Sequence, residues 1–228
     1  KSLISLKIKK NMCQEETLSM TKKHFPELPP LVPSRGNRLS RYFFKRIFLV
    51  QGWQLEGEFP NLPKAVAIIS PHTSNIDAWH GFIALLAIGL KVTIFGKNSL
   101  FHTPLKPLLE WIGVIPVVRD SPQGHTQQIV EIIKRKPQIW VGMAPEGSRK
   151  APEKIRSGFY HIADQAGLPI VMLAFDYDIK TIHILGVYQP TGDYEHDLVQ
   201  IYAHYQGKIS AKNPDWIARP LQKLLKKD

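Results

Sequence analysis

Apolar residues along this chain come in short runs whose spacing alternates between that of strands and that of helices. Residues 65–70, 92–95, 113–118, 139–143 and 169–175 are apolar stretches of strand length. Residues 77–90 and 126–135 are long enough for helices and lie between them. Residues 181–185 and 198–205 add two β-like segments near the end. Alternation of this kind predicts an α/β fold in a single domain, with a mostly parallel central sheet flanked by helices. Upstream, Leu39, Phe43, Ile47 and Val50 recur at helical spacing while Arg38, Arg41 and Lys45 share the other side, which predicts an N-terminal basic amphipathic helix over 38–50. Such a helix either packs on the core or lays Tyr42, Phe43, Phe44 and Phe48 against an anionic bilayer. From Asn213 a helix can open on Pro214, and Pro220 is expected to interrupt it.

Four prolines between Pro26 and Pro33, followed by Gly36, mark an extended tether, so residues 1–36 read as a mobile leader and 37–228 as the domain. With 43% hydrophobic and 10% aromatic residues, 228 residues are enough for one sizeable core. Lysine and arginine outnumber acids by 30 to 19, a balance that attracts lipid headgroups, phosphorylated substrates or nucleic acid alike. Helix-turn-helix, RNA-recognition and zinc signatures are missing, which weighs against nucleic acid. The single cysteine, Cys13, rules out an internal disulfide and fits a reducing compartment. The longest apolar run, 81–90, is half the roughly 20 residues of a membrane-spanning helix, and lysines break up residues 1–11 as a secretory signal. The expected location is the cytoplasm, with Met12 and Met20 as candidate starts.

Candidate chemistry begins at His72 and Asp77, in Ser70-Pro-His72-Thr-Ser74-Asn-Ile-Asp77. An apolar strand runs into the histidine and an apolar helix leaves from the aspartate, so the pair occupies a strand-to-helix turn. The two side chains can meet only if His72 precedes the helix, as an N-cap at Ser74 or Asn75 allows. Asp77 would then hold one imidazole tautomer and leave Nε2 free as a base, since imidazole titrates near neutral pH. The plainer reading makes Ser74 and Asp77 a capping box and His72 a structural histidine. A metal reading of Asp77, His80 and His72 lacks any further ligand cluster, so no metal is expected. A covalent enzyme nucleophile is unsupported, because no Gly-x-Ser-x-Gly elbow occurs.

Glu146-Gly147-Ser148-Arg149 follows the strand 139–143 and should emerge at the edge where ligands bind in open α/β sheets. Alone it is an ordinary Pro/Gly turn with a solvated charge pair. As chemistry, Arg149 can grip phosphate bidentately, Gly147 admits close backbone approach, and Glu146 can accept from a hydroxyl or order the arginines. Arg119, Lys97 and, more weakly, Arg156 are further candidate phosphate contacts, with a surface pair to Asp120 or another acid as the plainer reading of Arg119. Backbone N–H groups near Asn75 are candidate oxyanion donors.

In order, these blocks resemble the glycerolipid acyltransferases typified by 1-acyl-glycerol-3-phosphate acyltransferase. His72-Thr-Ser74-Asn-Ile-Asp77 looks like the family's His-x-Ser-x-x-Asp catalytic block, and Gly113-Val-Ile-Pro-Val-Val-Arg119 is similar to the block ending in an acceptor-binding arginine. Lys97 stands at the usual upstream lysine. Pro145-Glu146-Gly147-Ser148-Arg149 resembles the third block, and Gly167-Leu-Pro169-Ile-Val-Met172 the fourth, with coverage from Trp53 to Asp178. Ala144, Ser148 and Met172 replace the usual Phe, Thr and second Pro, and the spacing from Arg149 to Gly158 is short. The resemblance implies transfer of a fatty acyl group from acyl-CoA or acyl-carrier protein to a lysophospholipid, with His72 as general base and no resident cofactor. It also implies a peripheral position on the inner face of a membrane. Two rivals stand beside it: the same enzyme with another acceptor (a lyso-ornithine lipid, another lysolipid or a lipid A precursor), and a non-catalytic protein that binds anionic lipid.

Overall fold

Residues 65–68, Ala-Val-Ala-Ile, are apolar on both faces, as a strand covered by helices on two sides requires, and they form the buried middle of a central strand. The computed structural model describes residues 25–104, 106–117 and 124–225. In chain order its elements are α1 (Arg38–Val50), β1 (Gln54–Glu56), β2 (Lys64–Ser70), α2 (Asn75–Ile88), β3 (Val92–Lys97), α3 (Lys106–Ile112), β4 (Val114–Val117) and α4 (His125–Arg135). There follow β5 (Ile139–Met143), α5 (Gly158–Ala166), β6 (Ile170–Asp176), β7 (Thr181–Tyr188), α6 (Tyr194–Ala203) and α7 (Arg219–Leu225). The strands form one sheet in the order β1-β7-β6-β2-β5-β3-β4. The five from β6 to β4 run parallel, and β7 is antiparallel to β6 with β1 beside it. The C-terminal ends of the parallel strands therefore share one edge.

The pleat separates two cores. Val66 and Ile68 point toward Ile129 and Ile133 of α4, Phe159 and Ile162 of α5, and Ile201 of α6. Ala65 and Ala67 point the other way, toward Phe48 of α1, Trp53, and Ile83 and Ala87 of α2. This is the mostly parallel, helix-flanked sheet that the alternating runs predict.

Several local expectations are corrected. Residues 198–205 are not a strand: most of them belong to α6, because Leu198, Ile201, Tyr202 and Tyr205 also fit the i, i+3, i+4, i+7 spacing of one helical face. Asp193 starts that helix by accepting from the His196 N–H at 3.1 Å. Pro220 does not break a helix; it is the second residue of α7, where a missing N–H costs nothing. Two helices, α3 and α5, carried too few periodic residues to be read in advance.

Helix α1 has its predicted bounds but turns a different face inward. Phe48 is fully buried, Phe44 and Ile47 are half-buried against the same core, and Leu39, Phe43 and Val50 face solvent. Phe48 is thus unavailable to a bilayer. Arg41 turns back to donate to the Arg35 carbonyl at 3.0 and 2.9 Å. Residues 25–36, read as tether, lie against the body: Val32 is buried and Ser34 bridges Leu90. Residues 1–24, with Cys13, lie outside the described residues.

Candidate active site

The site is built where β2 ends and α2 begins. Ser74 is the N-cap of α2, and Asp77, one turn in, completes a reciprocal capping box. Oδ2 of Asp77 accepts from the N–H groups of Thr73 at 2.6 Å and Ser74 at 2.7 Å. The same oxygen lies 3.5 Å from Nδ1 of His72. The capping and pairing readings of Asp77 are therefore both realised, and the cap fixes the carboxylate beside the ring. The His72 side chain keeps 21% of its surface exposed while that of Asp77 has none, so the imidazole reaches solvent with its partner buried behind it.

Tyr177, one residue beyond β6, donates its phenol proton to Oδ1 of Asp77. Burial alone would raise the Asp77 pKa, but hydrogen bonds from His72, Tyr177, Ser74 and Thr73 outweigh it and hold the carboxyl below its ordinary value. Asp77 is thus an anion in a dry place, beside a ring that can carry positive charge. His80, a turn further on, stacks on Trp53 with ring centroids 4.5 Å apart. Among the described residues no cluster of His, Cys, Asp or Glu is arranged to hold a metal ion.

The loop after β5 lies against the end of β2 and the start of α2. Glu146 is 2% exposed and turned inward, where the Ser70 hydroxyl donates to its Oε1. Burial pushes its pKa up. In this arrangement the carboxyl ties the β5 loop to the end of β2 instead of presenting itself to a ligand. Gly147, Ser148 and Arg149 are exposed, and Arg149 donates to the side chain of Asn75 at the start of α2. Gly147 has a positive φ of 61°, and a Cβ there would stand 2.3 Å from Cδ of Arg156. The positive φ favours glycine, whose missing Cβ leaves room for the Arg156 side chain to lie against the loop. Lys97 ends β3 at the same sheet edge. Arg119 lies outside the described residues.

The N–H groups of Ser74, Ile76 and Asp77 at the helix start are already taken by the capping interactions, as is that of Thr73 by Asp77, and so cannot receive an oxyanion. Sequence reasoning missed three further groups. Tyr177 is one, Ser70 another. The third is Asn213, which donates from Nδ2 to the Thr73 carbonyl at 3.0 Å and from its N–H to Thr73 Oγ1 at 3.3 Å. The only advance sign of Tyr177 was its place just past a strand on the edge that carries His72.

A base paired with a buried carboxylate at the C-terminal edge of a parallel sheet, faced by guanidinium groups, can deprotonate a hydroxyl on an anionic molecule. The family model for acyltransferases matches residues 56–176, more than half of the sequence, so the chain belongs to the acyltransferase family. Among solved structures it is similar to the crystal structure of the 1-acyl-sn-glycerophosphate (LPA) acyltransferase PlsC from Thermotoga maritima. The TM-score is 0.53 at 16% identity, over 77% of this chain and 81% of that one. A comparison with curated proteins finds no match.

Proposed function

We propose that this acyltransferase moves a fatty acyl group from an acyl thioester, acyl-CoA or acyl-carrier protein, to the free hydroxyl of a lysophospholipid such as 1-acyl-glycerol-3-phosphate. The observation that carries the reading is the His72–Asp77 pair, with Nδ1 held at 3.5 Å from a buried carboxylate and the ring open to solvent. Nε2 of His72 takes the proton of the acceptor hydroxyl as its oxygen attacks the thioester carbonyl. The new C–O ester bond forms, the C–S bond breaks, and the imidazolium returns its proton to the departing thiolate. Asp77 stabilises the transient positive charge. General-base assistance of this kind contributes about 10²- to 10⁴-fold.

Arg149 receives the acceptor's phosphate, with Arg156 beside it and Lys97 and Arg119 as further contacts; a guanidinium fork matches phosphate geometry. The thioester is a substrate and the reaction needs no resident cofactor. A bilayer surface delivers the lysolipid, and the net charge of +11 suits the anionic inner face of a membrane. In the described residues no helix is long and apolar enough to cross that membrane.

Purified protein incubated with acyl-CoA and a panel of lysolipids, followed by free thiol release and product mass, tests the proposal. Thiol should appear only with the matching lysolipid, and the product should be heavier by one acyl group. Equal use of acceptors lacking phosphate would favour a different acceptor class. His72→Ala should abolish turnover while leaving lysolipid binding near the parent value. Turnover near the parent rate would remove the base from the mechanism.

A further inference from the structure

Asp77 meets its partners unevenly. Oδ2 receives two close backbone N–H groups, at 2.6 and 2.7 Å, before His72 is counted at 3.5 Å. The backbone donors are the stronger claimants. Rotation about the Cβ–Cγ bond of an aspartate is soft, so a carboxylate held on one oxygen alone can turn and let its second oxygen take one of those donors. His72 would then lose the face it needs.

Tyr177 prevents that turn by occupying Oδ1. Its ring is itself fixed: it meets Trp53 edge-on, with centroids 4.9 Å apart and planes at 89°, and Trp53 is 2% exposed between Phe48 and Phe175. Its N–H donates to the Ser210 carbonyl at 3.4 Å. We propose that Tyr177 is a positioning residue of the acyl transfer, locking the Asp77 carboxylate so that Oδ2 stays presented to Nδ1 of His72. The direction of the bond follows from the surroundings. Burial and the neighbouring Asp77 push the phenol pKa far up while Asp77 is held low, so the phenol donates and the carboxylate accepts at any working pH. A proton committed in this way is not free to protonate the leaving thiolate. Tyr177 therefore acts through Asp77 and His72 without touching substrate.

The assignment rests on the reaction proposed above, and its test is chosen to be judged separately. Tyr177→Phe keeps the ring against Trp53 and removes only the hydroxyl. It should lower kcat by about 10- to 100-fold, the worth of one hydrogen bond to a charged group. KM for thioester and lysolipid should stay within about twofold of the parent. In the same variant the downfield Nδ1–H proton resonance of His72 should weaken or shift upfield, read by NMR on folded protein without substrate. If either kcat or that resonance is unchanged, the proposal is overturned. Should the variant be too unstable to study, the parent protein carries the test: Tyr177 must show a slowly exchanging hydroxyl proton that disappears in Asp77→Asn, and failure to find it is equally fatal. A parent protein that transfers no acyl group would defeat the proposed reaction, while the Nδ1–H signal would still decide the role of Tyr177.

Discussion

Glu146 shows how much one side chain costs when sealed behind the His72 turn. Its Oε1 takes the Ser70 hydroxyl, but its buried Oε2 has no well-formed hydrogen bond among the described residues, and the nearby Tyr202 and Tyr205 phenols are pushed up by burial and by its charge. With the Glu146 pKa raised above 4.5, the folded protein holds the proton more tightly than the unfolded chain. The associated stability is fully present below pH 4.5 and is lost as pH rises through the folded value. Glu146→Gln keeps an acceptor for Ser70 and removes the titration. Its melting temperature relative to the parent should therefore climb as pH rises above 4.5, measured by calorimetry at several pH values. A constant difference would place the strain elsewhere. Arg149 is a residue of the opposite kind, exposed and aimed by Asn75. Arg149→Ala should raise the acceptor KM by about 10- to 100-fold, the worth of one charge-assisted bond, with kcat little changed. Asn75→Ala should do the same more weakly. Steady-state kinetics on both variants checks the order.

At the scale of elements, what the sequence made legible depended on how far apart the cooperating residues lie. Apolar runs and the His72 turn are local patterns, so β2, β5, β6 and the start of α2 could be placed in advance. The Tyr177 and Asn213 contacts join residues 100 and 140 positions apart in sequence, and no local pattern announces them. Residues 198–205 failed for another reason: their apolar side chains satisfy both a period of two and a helical period, and the deciding group is a buried acid that neither period contains. That acid, Asp197, accepts from the hydroxyls of Tyr160 and Tyr188 at 2.7 Å each and from the N–H and hydroxyl of Thr191 at 2.7 and 2.8 Å. It fastens α6 to α5 and the end of β7. Burial opposes its charge, but these donors prevail and hold its pKa far below the ordinary 3.8. A depressed pKa contributes stability that is present above pH 3.8 and lost as pH falls toward the folded value. Asp197→Asn sets an amide NH₂ against donors. It should lose at least about 2 kcal/mol near neutral pH, and the gap to the parent should narrow below pH 3.8. Urea unfolding at both ends of the range measures it.

Over the whole molecule, one patch of exposed apolar side chains lies next to the end of the sheet that carries His72. Gln51, just after α1, accepts from the Trp79 indole at 3.1 Å through its side chain and from Lys180 Nζ at 3.5 Å through its backbone. Those contacts gather Val50, Trp79 and Ile179, all largely exposed, around the edge that holds His72 and Tyr177. Along α1 the same surface continues through Phe43, Tyr42 and Leu39, with Arg38 and Arg46 exposed among them. Exposed aromatics beside cations suit the boundary between headgroups and acyl chains, where each basic residue contributes about 1 kcal/mol on an anionic surface. A lysolipid bound there would need only to slide its head toward Arg149 while its tail stays in the bilayer. The expected result is co-sedimentation with phosphatidylglycerol vesicles that falls steeply as salt is raised, and little with phosphatidylcholine vesicles. Tyr42→Ala with Phe43→Ala should weaken partitioning about 10- to 100-fold, the burial lost with two aromatic rings that each bury only part of their surface. Acyl transfer to lysolipid dispersed as monomers should survive in that variant, while transfer to lysolipid embedded in vesicles should fall with the binding. If both activities persist unchanged, this face does not deliver the substrate.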